Sequence, residues 1–111
     1  MSNQSVDSVF DALGEPVRRR ILELLREGPT PVGRLAQRLP VGRPAVSKHL
    51  RVLSEVGLVR CRAEGRRRLY RLEPARLRPL QEWLAKYERA WHDRMDRMDD
   101  YLRELQRGER Q

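Results

Sequence analysis

The run from Gly42 to Gly57, Gly-Arg-Pro-Ala-Val-Ser-Lys-His-Leu-Arg-Val-Leu-Ser-Glu-Val-Gly, is bounded at both ends and patterned between them. On a 3.6-residue period Val46, Leu50, Leu53 and Val56 fall on one side, while Pro44, Ser47, Lys48 and Arg51 fall together on another. One side packs and the other faces something polar. Gly42 is an acceptable N-cap, Pro44 sits in the first turn where a missing N–H costs nothing, and Gly57 closes the end as a C-cap glycine. A short helix with one apolar and one basic stripe is the predicted structure, and everything around it has to supply the surface on which the apolar stripe packs.

Three amphipathic segments precede it. From about Ser5 to Leu13, Val6, Val9, Phe10 and Leu13 stand at i, i+3, i+4 and i+7, in a helix that ends at Gly14. After Glu15-Pro16, the stretch Val17 to Glu27 places Val17, Ile21, Leu24 and Leu25 on one face, and Gly28-Pro29 terminates it. Thr30 suits the N-cap of a third short helix with Pro31 at its first position, and Val32, Leu35, Ala36 and Leu39 form its buried face. Pro40-Val-Gly42 then turns the chain into the basic helix, so the third and fourth helices make a helix-turn-helix pair.

Beyond Gly57 the period changes. Leu58-Val-Arg-Cys-Arg62 alternates apolar and basic residues, as does Tyr70-Arg-Leu72 after Arg66-Arg-Arg-Leu69, which predicts two antiparallel strands joined through Ala63-Glu-Gly-Arg66. From Leu77 a heptad can be counted through Leu84, Trp91, Met98 and Leu105, with Leu80, Tyr87 and Tyr101 at the second position and Arg94 breaking the series. Pro79 would disrupt a helix already under way, so Pro74 to Leu77 reads as a separate turn and the long helix starts near Arg78. Gln106 to Gln111 is polar and expected to fray. The fold class is therefore mainly α with a small β-hairpin wing: a winged helix-turn-helix of four helices, two strands and a last helix, forming one domain over 1–111.

A net charge of +8 favours a polyanionic partner, and with no long apolar run nucleic acid is favoured over membrane. Only Lys48 and Lys86 of the 24 basic residues are lysine, so part of the arginine excess is attributable to genome composition, and charge alone decides nothing. The N-terminal residues lack the basic and apolar regions of a signal peptide, which points to the cytoplasm.

Three segments, Phe10-Asp-Ala-Leu-Gly-Glu-Pro-Val-Arg-Arg-Arg-Ile-Leu-Glu-Leu-Leu25, Arg43-Pro-Ala-Val-Ser-Lys-His-Leu-Arg-Val-Leu-Ser-Glu-Val-Gly-Leu-Val59 and Glu64-Gly-Arg-Arg-Arg-Leu-Tyr-Arg-Leu72, resemble the ArsR/SmtB family of bacterial repressors, over roughly residues 6–105. The resemblance implies a transcriptional regulator that binds double-stranded DNA as a homodimer, through N- and C-terminal helices at about 5–13 and 78–105. The apolar stripes available for that interface are Val6, Val9, Phe10 and Leu13 on one helix and Leu80, Trp83, Leu84, Tyr87, Trp91 and Met98 on the other. A two-fold dimer presents its recognition helices about 34 Å apart and selects an inverted repeat. Arg43, Pro44, Ala45, Ser47, Lys48 and Arg51 lie where base edges are reached, with Arg43 the first choice for guanine because its guanidinium can be bidentate to O6 and N7. His49 lies between the stripes and serves either phosphate contact or packing. Arg66, Arg67 and Arg68 suit backbone or minor-groove contact, with Arg68 alternatively pairing across the hairpin.

No cofactor and no catalytic residue is expected. Thiolate-type metal sensors of this family carry cysteines at the start of the third helix, where this chain has Pro31-Val-Gly-Arg-Leu, and other metal sensors use paired histidines and acids on the last helix, where it offers His92 with Asp93, Asp96 and Asp99. That is too few nitrogen donors for a transition-metal site, so the resemblance is to the metal-independent branch. Cys61 is the single cysteine, and its alternation with Val59 points it toward the core. Two other readings remain open at this level: a repressor of the same fold that responds to metal or oxidation, and a protein-interaction module whose long helix docks a partner while the basic face is incidental.

Overall fold

The computed structural model describes residues 2–110, with side-chain surroundings for 6–108, and divides into two compact units, 1–80 and 81–111. In chain order the elements are α1 (Ser2–Leu13), α2 (Pro16–Leu25), β1 (Thr30–Pro31), α3 (Val32–Gln37), α4 (Arg43–Glu55), β2 (Val59–Glu64), β3 (Arg67–Leu72), a 3₁₀ turn (Pro74–Leu77) and α5 (Arg78–Arg110).

The α1–α2 corner is tied by arginines. Glu15 caps α2 by accepting from the Arg18 backbone N–H at 3.0 Å. The Arg18 guanidinium donates to the carbonyls of Ala12 at 2.6 Å and Asp11 at 3.0 Å, and Arg19 donates to that of Leu13 at 2.5 Å. Three carbonyls at the C-terminal end of α1, which have no partner within their own helix, are thereby satisfied. Apolar side chains from Val9 and Ala12 of α1, Ile21, Leu22, Leu24 and Leu25 of α2, Leu35 of α3, Val46, Leu50 and Leu53 of α4, and Leu58 and Val59 make one core.

α4 ends as its glycine requires. Gly57 has φ +82°, its N–H donates to the Ser54 carbonyl at 3.1 Å, and the next N–H, of Leu58, reaches back to Leu53 at 2.9 Å. This is a Schellman motif, and the two residues it joins, Leu53 and Leu58, are both fully buried. A Cβ at Gly57 would also lie 2.8 Å from Arg76 Nε and 3.0 Å from its Cγ. Gly57→Ala is expected to cost about 1–2 kcal/mol through the left-handed backbone alone. Urea unfolding should show a lower midpoint at unchanged slope, with Arg76→Ala in the same chain recovering only the smaller, steric part.

The sheet has the order β1-β3-β2, antiparallel throughout. β2 and β3 pair from Val59↔Leu72 to Glu64↔Arg67, closed by the two-residue turn Gly65-Arg66 with Gly65 at φ +63°. The third strand corrects the expected cap at Thr30. Thr30 and Pro31 pair with Tyr70 and Leu69, so Thr30 is extended and its Oγ1 donates to the Gly28 carbonyl at 2.8 Å, while Pro31 takes the N-cap position of α3. Cys61 is exposed rather than turned into the core: only Val59 of β2 is buried, because the hairpin runs out past the body and alternation then separates two wet faces. α5 begins at Arg78 after the separate turn, as the prolines demand, but stays helical to Arg110 instead of fraying from Gln106; Gln111 lies outside the described residues.

Candidate nucleic-acid interface

Burial of one face of α4 determines what the other presents. Val46, Leu50 and Leu53 are 0% exposed, which turns Arg43, Pro44, Ser47, Lys48 and Arg51 outward, with Ala45 and His49 half-buried at the edges. The hairpin brings exposed Arg66, Arg67 and Arg68 opposite this face. Between them runs a cleft of about 670 Å³, lined by Arg43, Ser47, Arg51 and Ser54 of α4, Pro31 and Val32 beside them, and Cys61, Tyr70 and the three hairpin arginines.

Five guanidinium groups and no carboxylate line the cleft. Outside the cleft some arginines are paired, Arg20 with Glu23 at 3.1 Å, Arg38 with Glu27 at 2.7 Å, Arg60 with Glu73 at 3.1 Å and Arg62 with Glu64 at 3.6 Å. Among the described residues none of the five cleft arginines is within ion-pair distance of an acid. Unpaired arginines around a groove suit a polyanion that supplies its own oxygens, and phosphate esters match their forked donors.

Several contacts here are tertiary and could not be read from spacing. The Arg43 guanidinium lies over Gly33 of α3, its Nη1 3.7 Å from the point a Cβ would occupy. Gly33→Ala therefore leaves ordinary contact and should bind DNA like the parent, whereas Gly33→Leu should displace Arg43 and weaken binding; titration of both variants on one duplex checks this. Tyr70 pairs with Cys61 across the hairpin. Burial and the adjacent Cys61 thiol push its phenol pKa up, against an opposing pull from Arg68, so at neutral pH it is a protonated donor at the cleft. Arg68, two residues before Tyr70 on β3, thus lies beside the Tyr70 phenol while it lines the cleft, and its neighbour across the hairpin is Ala63. His49 Nε2 lies 3.8 Å from Glu15, the residue that caps α2, and so connects the basic helix to the α1–α2 corner.

The proposed dimer residues divide. Val9 is 2% exposed, and Leu13 and Leu80 pack partly against the chain's own core, while Val6 is half-buried. Phe10, Trp83, Leu84, Tyr87, Trp91 and Met98 are exposed, and the Trp83 and Tyr87 rings meet tilted at 47° with centroids 4.7 Å apart. Among the described residues no group of three or more His, Cys, Asp or Glu is arranged to hold a metal ion, and no helix is long and apolar enough to cross a membrane.

Comparison with known proteins agrees with this geometry. Residues 13–62 match a family model described as a helix-turn-helix domain. The chain is 46% identical over 84 residues to the HTH-type transcriptional regulator Rv2034 of Mycobacterium tuberculosis, covering 76% of this chain and 78% of that protein. An ArsR family transcriptional regulator, RHA00566, superimposes with a TM-score of 0.72 at 30% identity, covering 81% of this chain and 93% of the other. The homodimeric winged helix-turn-helix DNA-binding domain of Mb0332 from Mycobacterium bovis does so with a TM-score of 0.62 at 34% identity, over 75% of this chain and 80% of that one. With its basic helix, its arginine-tipped hairpin and these relatives, the chain belongs to the ArsR family of winged helix-turn-helix, DNA-binding transcriptional regulators.

Proposed function

We propose that the protein is a homodimeric repressor that binds an inverted-repeat operator in the cytoplasm and blocks transcription by occupying it. The observation that carries this reading is the convergence of Arg43, Ser47 and Arg51 of α4 with Arg66, Arg67 and Arg68 of the hairpin along one acid-free cleft. Two such surfaces related by a two-fold axis read two half-sites about ten base pairs apart. The homodimeric state of the Mb0332 domain supports the assembly, as do the exposed apolar residues of α5.

In this reading α4 enters the major groove with Arg43, Pro44, Ala45, Ser47, Lys48 and Arg51 toward base edges, with His49 at the edge of that face, and the hairpin arginines follow the backbone or minor groove. Release from DNA in this reading does not use a metal, because the third helix begins Pro31-Val-Gly-Arg-Leu without a thiolate and the last helix offers His92 as its one imidazole. Selection from random duplexes at two salt concentrations, with and without chelator, tests the proposal. An enriched palindrome insensitive to chelator is the expected result; no enrichment in any condition sinks operator reading by this face. A linear fall of log affinity with log salt should accompany it, about 0.9 per phosphate neutralised.

A further inference from the structure

The three arginines of the hairpin are not equivalent. Register sorts its side chains by face: the pairs Ala63↔Arg68, Cys61↔Tyr70 and Val59↔Leu72 fall on one side of the ribbon, and Glu64↔Arg67, Arg62↔Leu69 and Arg60↔Arg71 on the other. On the second side Arg62 is paired with Glu64 at 3.6 Å and Arg60 with Glu73 at 3.1 Å. On the first, Arg68 lies beside a phenol. β1 pairs with Leu69 and Tyr70, so Tyr70 is held between two neighbouring strands, whereas Arg66, Arg67 and Arg68 stand on the free, two-stranded part.

Tyr70 stands two residues, about 7 Å, from Arg68 along β3. Its half-buried phenol lies between the Cys61 thiol and the Arg68 guanidinium, and it is protonated because burial and the thiol push its pKa up more than Arg68 pulls it down. An acid and a phenol differ electrically as partners of an arginine. A carboxylate orients a guanidinium and cancels its charge. A neutral phenol oxygen accepts one of its five N–H groups and leaves the charge and the other four for another anion. Arg68 and Tyr70 both line the acid-free cleft beside α4.

We infer that Tyr70 is a positioning residue of the DNA interface: it steadies Arg68 from the side and aims it into the cleft at one phosphate of the duplex. This role rests on the DNA-binding reading of the cleft and goes beyond it by singling out Arg68 as the hairpin arginine directed before DNA arrives. An arginine already steadied loses less side-chain freedom on binding than Arg66 or Arg67 at the exposed tip. Tyr70 itself carries no charge, so its removal acts on the salt dependence of binding through the Arg68 contact.

The full-length parent, Tyr70→Phe, Arg68→Ala and the double variant are titrated on the selected operator and on a random duplex at several salt concentrations, with urea unfolding of each as a check of the fold. Arg68→Ala is expected to lower the slope of log affinity against log salt by about 0.9, the share of one phosphate. Tyr70→Phe, which keeps the ring, should lower affinity about threefold to tenfold on both duplexes, reduce the slope in the same direction, and add nothing in the Arg68→Ala background. Parental affinity and slope for Tyr70→Phe overturn the inference. So does a loss that multiplies that of Arg68→Ala at unchanged slope, which would mean that the phenol touches the duplex itself. A parent that binds neither duplex overturns the DNA-binding reading as well. A second measurement needs no Tyr70 variant: in NMR spectra of isotope-labelled arginine in the parent, assigned with Arg67→Lys and Arg68→Lys, the Arg68 guanidinium protons should exchange with water several-fold more slowly than those of Arg67. Equal exchange refutes a steadied Arg68.

Discussion

Leu50→Ala is expected to lower the unfolding free energy by about 2–5 kcal/mol, and with it the fraction of chain able to hold DNA. Leu50 is 0% exposed at the middle of α4, between Val46 and Leu53, in a core to which α1, α2, α3 and β2 all contribute. Truncation removes the transfer energy of its methyl and methylene groups and leaves a cavity that surrounding helices fill only in part. Against a total stability of about 5–15 kcal/mol the loss is a large fraction. Apart from Arg43, whose guanidinium lies over Gly33, the basic residues of α4 take their direction from the burial of the opposite face, so loosening that face disorders the DNA-contacting side chains before any of them is altered. Denaturant unfolding at a fixed protein concentration measures the effect, the concentration being held because dimerisation couples to folding. Leu50→Met, which keeps the volume, should cost less than about 1.5 kcal/mol and retain operator affinity. A Leu50→Ala protein as stable as the parent would mean that α4 is held by something other than this packing.

What was legible from the residues was what is decided locally. The bounds of α4 follow from Gly42, Pro44 and Gly57, because caps act within one turn. The break between the 3₁₀ turn and α5 follows from Pro79, whose ring cannot sit in a helix interior. What was not legible depends on partners far along the chain. Thr30 looked like a cap because its neighbours permit one, but pairing with Tyr70 draws its backbone into a strand. Alternation with Val59 points Cys61 to the core, yet it is exposed, because alternation gives the relative side of two residues and not the point at which a hairpin leaves the body. The site was half visible: Arg43, Ser47, Arg51 and Arg66 to Arg68 follow from pattern, whereas the placement of Arg43 over Gly33 and of Tyr70 against Cys61 exists only once the elements are assembled.

The two groups of cleft arginines should separate cleanly by mutation. Arg43→Ala is expected to flatten base preference at one position in each half-site by about 1–3 kcal/mol, roughly a factor of 5 to 150, with little change on unrelated duplex. Arg67→Ala should weaken every sequence alike and reduce the salt slope by about one. The difference follows from their supports. Arg43 begins α4, where the helix N-terminus reaches farthest into a groove, and its guanidinium is steadied over Gly33, so its donors return to a limited set of positions and can demand a particular pair of acceptors. Arg67 opens β3 directly after the Gly65-Arg66 turn at the hairpin tip, fully outside the core, and the Glu64 opposite it is paired with Arg62 instead. A long exposed side chain on such a tip follows a phosphate wherever the backbone runs, and so contributes affinity without sequence preference. Binding isotherms for each variant on the selected operator, on its single-base variants and on random duplex, at two salt concentrations, resolve the two behaviours. Equal losses from Arg43→Ala on all three would move that residue from base reading to phosphate contact and shift the search for the specificity determinant to Ser47 and Lys48, one turn further along the same face.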